Sequence, residues 1–268
     1  MTSFPNTVQL IIDSFLAPFA PVELAESWDN VGLLVGRRDQ PVRKIMTCLT
    51  INQASANEAA DKQVDLIVSH HPMPFHALKR ITDETATGRI LLTLMEARIA
   101  VYAPHSAFDS AARGINQRLA MGLGLTEIRP IQVLDEQTGL GIGRQGALAS
   151  PQTLESLARS VKQFLNCGNV DVVGSANQKI ETVAVTCGAA GSLFELVKKA
   201  GVDALVLGET NFHTYLDALD AGIGLVLPGH YATERFACQE LSDELAAVFP
   251  DIEVFCSEQE TEPQWKLV

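Results

Sequence analysis

The sequence has little positive charge, and the positive charge it has is not clustered. Lys and Arg number 20 against 32 Asp and Glu, which gives a formal net charge of −12, and no run of basic residues occurs. Sequence-independent binding of nucleic acid depends on neutralising phosphates with basic side chains. The composition therefore disfavours a nucleic-acid partner.

Long apolar runs and a secretion signal are also missing. No apolar stretch approaches the ~18 residues needed to span a bilayer. The first residues, MTSFPNTVQLIIDSFL, show neither a basic segment nor a small-residue cleavage site. The five cysteines form no CxxC pair, and an odd number fits reduced thiols. We therefore expect a cytoplasmic protein with no membrane partner.

Two common nucleotide-binding motifs are absent as well. The sequence contains neither a GxxxxGK[ST] phosphate loop nor a GxGxxG motif. If a nucleotide binds, its phosphates must be held by scattered Lys, Arg and backbone amide groups.

The sequence does have an alternation of short apolar runs and helical patterns. Continuous apolar strands separated by helices are typical of a parallel sheet covered on both faces. The first strands are predicted at KIMTCLT (44–50), VDLIVS (64–69) and IAVYAP (99–104), and the helices at NQASANEAADKQ (52–63) and GRILLTLMEAR (88–98). The pattern predicts an α/β fold.

The same order returns later in the chain. Strands are predicted at ETVAVTCG (181–188), VDALVLGE (202–209) and IGLVLPGH (223–230), and helices at SLFELVKKAG (192–201) and FHTYLDALDAG (212–222). VDLIVSHH corresponds to VDALVLGE, and IAVYAPHSAFD corresponds to IGLVLPGHYATE with one extra residue, Gly229. The sequence therefore predicts two similar, interlinked α/β halves with mainly parallel sheets.

The segment between the halves is rich in Gly, Pro and other turn residues. This composition extends over EIRPIQVLDEQTGLGIGRQGALASPQ (127–152), which we interpret as the crossing from one half to the other. The predicted boundaries are 1–126 for the first half and 127–268 for the second. The sequence leaves open whether the C-terminal segment packs back on the first half.

Four of the six histidines follow predicted strands, where functional groups of parallel α/β sheets gather. Two of the four are followed four residues later by a carboxylate, so that the candidate ligand set is His70, His71, His105, Asp109, His230 and Glu234. Imidazole suits Zn, Fe, Ni or Co, and carboxylate widens the choice to Mn. Because one catalytic zinc normally takes three protein ligands, two divalent ions fit this set better.

Each histidine also has an ordinary structural interpretation. A single buried histidine is more often a hydrogen-bonded core residue than a ligand. His70 and His71 would then place one ring inside and one outside a strand end. His76 has no acidic neighbour at a ligand spacing and is left out of the set. His213, which follows Glu209 on the next helix, is equally compatible with packing and with contact to a substrate.

Five motifs in a fixed order carry a family resemblance. Nearly the whole chain resembles the Nif-three-like family of GTP cyclohydrolase 1 type 2 homologues, through WDNVGLLVG (28–36), SHHP (69–72), HSAFD (105–109), GETNFH (208–213) and GHYATE (229–234). The resemblance implies two similar α/β halves, a dinuclear metal centre in the cleft between them, and a ring-shaped homohexamer. Longer relatives carry an inserted middle domain, and this chain resembles the compact form.

The resemblance also assigns residues. It implies that the metal ligands are His70, His71, His105, Asp109, His230 and Glu234. Ser106 stands where threonine is usual in the family, which keeps the hydroxyl group.

Two further parts of the pattern have open roles. Asp29 and Asn30, which follow Trp28, either form an ordinary turn or lie at the mouth of the metal cleft. Glu209 occupies the place that the paired histidines have in the first half, so the duplication predicts that it faces the same cleft. There it would orient a ligand or take a proton, and Glu209 and His213 are the candidate catalytic acid and base.

Hydrolysis is the natural chemistry of such a centre, since a divalent pair lowers the pKa of bound water to about 7. If the activity of the family applies, activated water attacks C8 of the guanine ring of GTP. Ring opening, loss of formate and recyclisation then give dihydroneopterin triphosphate. A phosphoesterase or nucleotide hydrolase would use the same ions. The main alternative is a non-enzymatic, metal-binding hexameric scaffold or regulatory protein.

Overall fold

The chain divides into two units in the computed structural model, which describes residues 6–264. The first unit comprises the chain up to Phe108 and the part from Ala237 onward, and the second comprises Asp109–Phe236. Each unit is built on one main β-sheet.

Strands and helices are numbered along the chain. The strands are β1 Gly32–Val35, β2 Lys44–Cys48, β3 Leu66–Ser69, β4 Ala100–Ala103, β5 Leu125–Arg129, β6 Gln132–Asp135, β7 Leu140–Ile142, β8 Arg144–Thr153, β9 Asp171–Val173, β10 Lys179–Ala189, β11 Ala204–Glu209, β12 Gly224–Leu227 and β13 Glu253–Cys256. The α-helices are α1 Val8–Ile11, α2 Ala17–Phe19, α3 Gln53–Asp61, α4 Ala86–Glu96, α5 His105–Ser110, α6 Ile115–Gly122, α7 Leu154–Phe164, α8 Phe194–Ala200, α9 Phe212–Ala221 and α10 His230–Val248. A π-helical turn, Ile12–Leu16, lies between α1 and α2, and 3-10 turns occupy Val22–Leu24 and Gly191–Leu193.

The sheet of the first unit has the strand order β1-β4-β3-β2-β13. Strands β13, β2, β3 and β4 are parallel, and β1 pairs antiparallel with β4 at the edge. Every residue of β3 and β4 is buried, because helices such as α3 and α4 supply apolar side chains to the same core. The continuous apolar runs therefore predicted this parallel core correctly.

The sheet of the second unit has the order β5-β8-β10-β11-β12-β9. Strands β10, β11 and β12 are parallel, as predicted, and pack with α8 and α9 around a second apolar core. The interpretation of 127–152 as a connecting crossing is wrong, because this segment holds most of β5, the β6–β7 hairpin and most of β8, which pairs antiparallel with β10. Its Gly and Pro content hid these strands, since antiparallel and edge strands tolerate such residues better than a buried parallel core does.

In the first unit, the side chains of Gln40 and Asp65 form a clamp at the beginnings of the parallel strands β2, β3 and β4. Gln40 Nε2 donates to the carbonyl of Asp65 at 2.9 Å and to that of Arg98 at 2.7 Å, just before β3 and β4. The Asp65 carboxylate accepts the backbone N–H groups of Arg43 at 2.8 Å and Lys44 at 3.1 Å, where β2 begins.

The second unit contains the same clamp. Gln178 Nε2 donates to the carbonyl of Asp203 at 3.2 Å and to that of Gly222 at 2.8 Å, before β11 and β12. The Asp203 carboxylate accepts the backbone N–H groups of Glu181 and Thr182, both at 2.9 Å. The two units thus share side-chain chemistry as well as the order of four strands, β1-β4-β3-β2 in the first and β9-β12-β11-β10 in the second, as an internal duplication predicts.

Within residues 6–264, no helix is both long enough and apolar enough to cross a bilayer.

Candidate metal centre

The candidate ligands of the first unit lie at the carboxyl ends of two neighbouring parallel strands. His70 and His71 follow β3 directly, and their backbone N–H groups donate to the carbonyls of Cys48 at 2.9 Å and Leu49 at 2.8 Å. His105 follows β4 after one proline and opens α5. Since parallel strands end at the same edge of a sheet, the fold brings the three imidazoles together.

These three side chains form what we call the imidazole cluster, which consists of His70, His71 and His105. The ring centroids of His70 lie 5.1 Å from those of both other histidines, and His71 lies 5.4 Å from His105. One nitrogen of each ring lies within 4.8 Å of the others. His70 is buried and the other two are half-buried. Three converging imidazoles are a donor set that suits Zn, Fe, Ni or Co.

Two rings of the cluster are held through Nδ1. His71 Nδ1 lies 2.6 Å from Thr50 Oγ1, and His105 Nδ1 lies 2.7 Å from Asp29 Oδ1. When Nδ1 donates its proton to such an oxygen, Nε2 keeps a free lone pair. Metal-binding histidines characteristically have an oxygen partner of this kind on the other nitrogen. The geometry therefore presents Nε2 as the ligand atom of both rings.

Asp29 makes further hydrogen bonds besides the one with His105. Its buried carboxylate accepts a hydrogen bond from the Ser106 hydroxyl at 2.5 Å and from the Ser106 backbone N–H at 3.1 Å, in addition to His105. Burial raises the pKa of Asp29, but the hydrogen bonds and charge of His105 and the bonds from Ser106 outweigh it and lower the pKa to about 2. His105 itself has a φ of 31°, which is uncommon for a residue other than glycine.

The second unit holds a histidine between two carboxylates. His230 opens α10, its Nε2 lies 3.0 Å from Glu234 Oε2, and its Nδ1 lies 2.9 Å from Glu209 Oε1 at the end of β11. The bond with Glu234 is the main reason that the pKa of His230 rises to about 9; burial opposes the rise and Glu209 adds to it. Glu209 thus has the relation to His230 that Asp29 has to His105.

Glycine makes room for Glu234. A Cβ on Gly188 would lie 2.2 Å from Glu234 Oε1, and Gly188 has a φ of +62°. Its backbone N–H donates to the hydroxyl of Thr233 at 3.0 Å. The Glu234 carboxylate therefore occupies the space that a side chain at position 188 would take.

Asp109, which lies one turn after His105 on α5, is held by its own set of contacts in the second unit. Its Oδ1 accepts a hydrogen bond from the buried Cys187 thiol at 3.0 Å. Asn116 joins both residues, since its Nδ2 donates to the Asp109 carbonyl at 3.1 Å and its Oδ1 accepts the Cys187 N–H at 2.8 Å. Burial and the charges of Asp109 and Glu234 raise the pKa of Cys187, so the thiol stays protonated and donates.

A buried arginine fixes the end of the helix that carries Asp109. Arg144 is 2% exposed, and burial lowers its pKa to about 10, so it is charged at neutral pH. All five of its donor directions are used, at 2.7–2.9 Å, on oxygens of Ser110, Ala111, Gln117, Gly141 and Gly143. A cation on the last carbonyls of α5 also complements the dipole of the helix.

The predicted acid and base lie in different surroundings. Glu209 contacts His230 directly, since its Oε1 lies 2.9 Å from His230 Nδ1. His213 is exposed on α9, and its backbone N–H donates to Asn211. Among residues 6–264, the groups of side chains that could hold a metal do not include His213.

Three contributors to the site are absent from the sequence interpretation. Thr50 could have been found, because it closes a predicted strand at the same edge as the histidines. Cys187 and Arg144 give no such signal, since a lone cysteine and a lone arginine are usually a core residue and a surface residue.

Comparisons with known proteins match nearly the whole chain. The model of the family described as Duf34/NIF3 (NGG1p interacting factor 3) matches residues 7–263. A Clostridium acetobutylicum protein named GTP cyclohydrolase 1 type 2 homolog is 32% identical over 222 residues, which is 82% of this chain and 83% of the relative. A Schizosaccharomyces pombe protein named Protein NIF3 homolog is 32% identical over 274 residues, which is 96% of this chain and 96% of the relative. The crystal structure of a Staphylococcus aureus hypothetical protein is 28% identical, with a TM-score of 0.88 over 98% of this chain and 100% of that one.

Proposed function

Because the chain belongs to the DUF34/NIF3 family, we propose that it is a hydrolase that depends on two divalent metal ions. In this proposal the ions are Zn, Fe, Mn, Ni or Co, and both are held in one dinuclear centre by His70, His71, His105, Asp109, His230 and Glu234. The observation that carries the proposal is the imidazole cluster, in which nitrogens of three rings converge within 4.8 Å.

The residues around the ligands support this assignment. Thr50, Asp29 and Glu209 each contact the Nδ1 of a different candidate ligand, at 2.6–2.9 Å. Such contacts fix the orientation of the ring, as oxygen partners of metal-binding histidines characteristically do. Bound divalent ions would supply Lewis-acid activation of water, which is the chemistry of hydrolysis.

Glu209 has a second role in the proposal. Its side chain is 50% exposed, so one carboxylate oxygen holds His230 Nδ1 while the other remains accessible to a reactant. We assign it to accept a proton from the attacking water. His213, exposed on the helix that follows, is assigned to contact the substrate or to transfer a proton to the leaving group.

The proposed substrate is a nucleotide or a related heterocycle. Relatives at 32% identity carry the name GTP cyclohydrolase 1 type 2 homolog, which makes GTP the first substrate to test. We further propose a homohexamer, as the family resemblance implies. Cytoplasmic residence fits the odd number of cysteines, which is five.

Metal content tests the site. After metal removal and reconstitution with Zn, Mn, Ni or Fe, we expect about two ions per chain by elemental analysis. His71→Ala and Glu234→Ala should each bind substantially less metal, whereas His76→Ala, which removes an exposed histidine outside the cluster, should match wild type. Unchanged metal content in both ligand variants would show that the site assignment is wrong.

Turnover tests the reaction separately. Metal-dependent release of formate from GTP is the expected result, and it should disappear in Glu209→Gln without loss of bound metal. Two ions per chain without turnover of GTP or other nucleotides would contradict the hydrolase and favour a metal-binding scaffold.

A further inference from the structure

Two large aromatic side chains lie exposed beside the imidazole cluster. Trp28 is 59% exposed and Phe75 is 46% exposed. Both ring centroids lie 6.0 Å from that of His105, and they lie 6.2 Å from each other. Exposed apolar groups that adjoin polar, convergent side chains characterise ligand-binding surfaces more than ordinary protein surface.

The indole ring is fixed although it is exposed. Trp28 Nε1 donates to Glu26 Oε2 at 2.8 Å, and the Glu26 backbone N–H donates to Ser106 Oγ at 3.0 Å. Ser106 follows His105 directly and is itself bonded to Asp29. The loop that carries the indole is therefore tied to the residues that hold the cluster.

A further bond joins this loop to the one that carries Phe75. Asn30 Nδ2 donates to the carbonyl of Pro74 at 2.9 Å. The planes of the Trp28 and Phe75 rings are tilted by 35°, so Phe75 supports the indole and leaves no slot between the rings. Trp28 thus remains 59% exposed while its loop is held in place.

Fixing an exposed side chain costs conformational entropy, and a surface that has already lost this freedom binds a ligand more tightly. From this arrangement we infer that Trp28, supported by Phe75, is a stacking platform for a planar nitrogen heterocycle. Aromatic faces bind flat rings by stacking. The Glu26 carboxylate at the indole edge favours a ring with N–H donors.

The inference deepens the proposed function, because a ring on this platform would lie next to His105. It does not depend on the metal, however, since the stacking and the Glu26 contact use protein groups alone. The platform and the metal site can therefore fail independently.

The test is the binding of guanosine, which offers a flat ring with N–H donors, to the full-length protein by isothermal titration calorimetry, with ribose as the ring-free control. Metal-free and zinc-loaded protein are both titrated. Trp28→Ala should weaken guanosine binding on the order of tenfold in both forms, and Trp28→Phe should restore most of the loss. Met121→Ala is the control, because Met121 is 63% exposed on α6, outside this group.

Three results would overturn the platform. Guanosine would fail to bind wild type, or would bind Trp28→Ala as tightly as Met121→Ala, or Trp28→Ala would instead change the oligomeric state, which would assign the exposed ring to a second copy of the chain. Metal content measured on the same samples separates these outcomes from failure of the metal site.

Discussion

Thr50 holds His71: the Oγ1 atom of Thr50 lies 2.6 Å from His71 Nδ1. Thr50 is itself fixed from the other side, because the carboxylate of Glu260 accepts its backbone N–H at 2.5 Å and that of Leu49 at 2.9 Å. Glu260 is 5% exposed and belongs to the segment after β13. A residue near the C-terminus thus determines the position of a candidate ligand that lies nearly 200 positions earlier in the sequence.

Removing the Thr50 hydroxyl should weaken metal binding. Thr50→Val keeps the shape of the side chain but leaves His71 Nδ1 without this oxygen, so the ring loses its fixed orientation. We expect zinc affinity to fall by about 10- to 100-fold in competition with a chromophoric chelator. Thr50→Ser keeps the hydroxyl and should stay close to wild type, and equal affinity of the two variants would contradict the role of Thr50.

Gly188 should not tolerate a methyl group. In Gly188→Ala the new Cβ would meet Glu234 Oε1 at 2.2 Å, in a backbone conformation that already disfavours alanine. We expect loss of at least about 2 kcal/mol of unfolding free energy, together with reduced metal binding. Gly201→Ala is the control, because Gly201 has a φ of +71° with nothing within 4 Å of the added methyl, so it bears only the backbone cost of about 1 kcal/mol. Similar losses in the two variants would show that the contact with Glu234 is unimportant.

Arg144 should be a large contributor to stability. Arg144→Met removes five hydrogen bonds and leaves buried carbonyls of α5 without a donor. The expected loss in urea denaturation is about 3 kcal/mol or more. Arg159→Met removes an exposed arginine that pairs only on the surface of α7, and should change stability by less than about 1 kcal/mol. A small loss of stability in Arg144→Met would mean that water molecules donate to these carbonyls in place of the guanidinium.

The pH dependence of stability should contain a contribution from Glu58. Burial raises its pKa, but bonds from the Ser257 hydroxyl, the Lys62 ammonium and the backbone N–H groups of Glu258 and Gln259 outweigh it, so the pKa falls below the ordinary 4.5. A lowered carboxyl pKa stabilises the folded state above pH 4.5, and this stabilisation is lost as the pH falls through the folded value.

The variant Glu58→Gln tests the direction of this pH dependence of stability. At pH 7 the variant should be less stable than wild type by about 1–2 kcal/mol, and the difference should shrink as the pH is lowered from 5 to 3. Urea midpoints at each pH measure it, with the exposed Glu155→Gln as the control. A difference that is constant with pH would assign the effect to packing instead of charge.

The parallel cores of both units were predictable because their strands are buried on both faces and therefore consist of continuous apolar residues, as in β3 and β12. The antiparallel strands were not, because β6, β7 and β8 are partly exposed and contain Gly and Pro within or beside them.

The candidate ligands could be predicted from their places after strands, since topology brings strand ends together. The partner of His105 could not. Asp29 and His105 are 76 positions apart, and nothing local indicates that a turn residue of one loop meets the first residue of α5. The role of Glu260 depends in the same way on where the last strand joins the sheet.

The two glutamine clamps lie at the ends of the sheets where the parallel strands begin, whereas the candidate ligands follow the ends of those strands. Gln40 and Gln178 thus fix each sheet without involving any residue that would bind a metal or a substrate. After duplication, one copy could acquire paired histidines and the other a glycine and a glutamate at the corresponding strand end, with no change in strand alignment. Because of this separation, protein engineers can substitute the residues at the strand ends of one half without changing the residues that fix its strands.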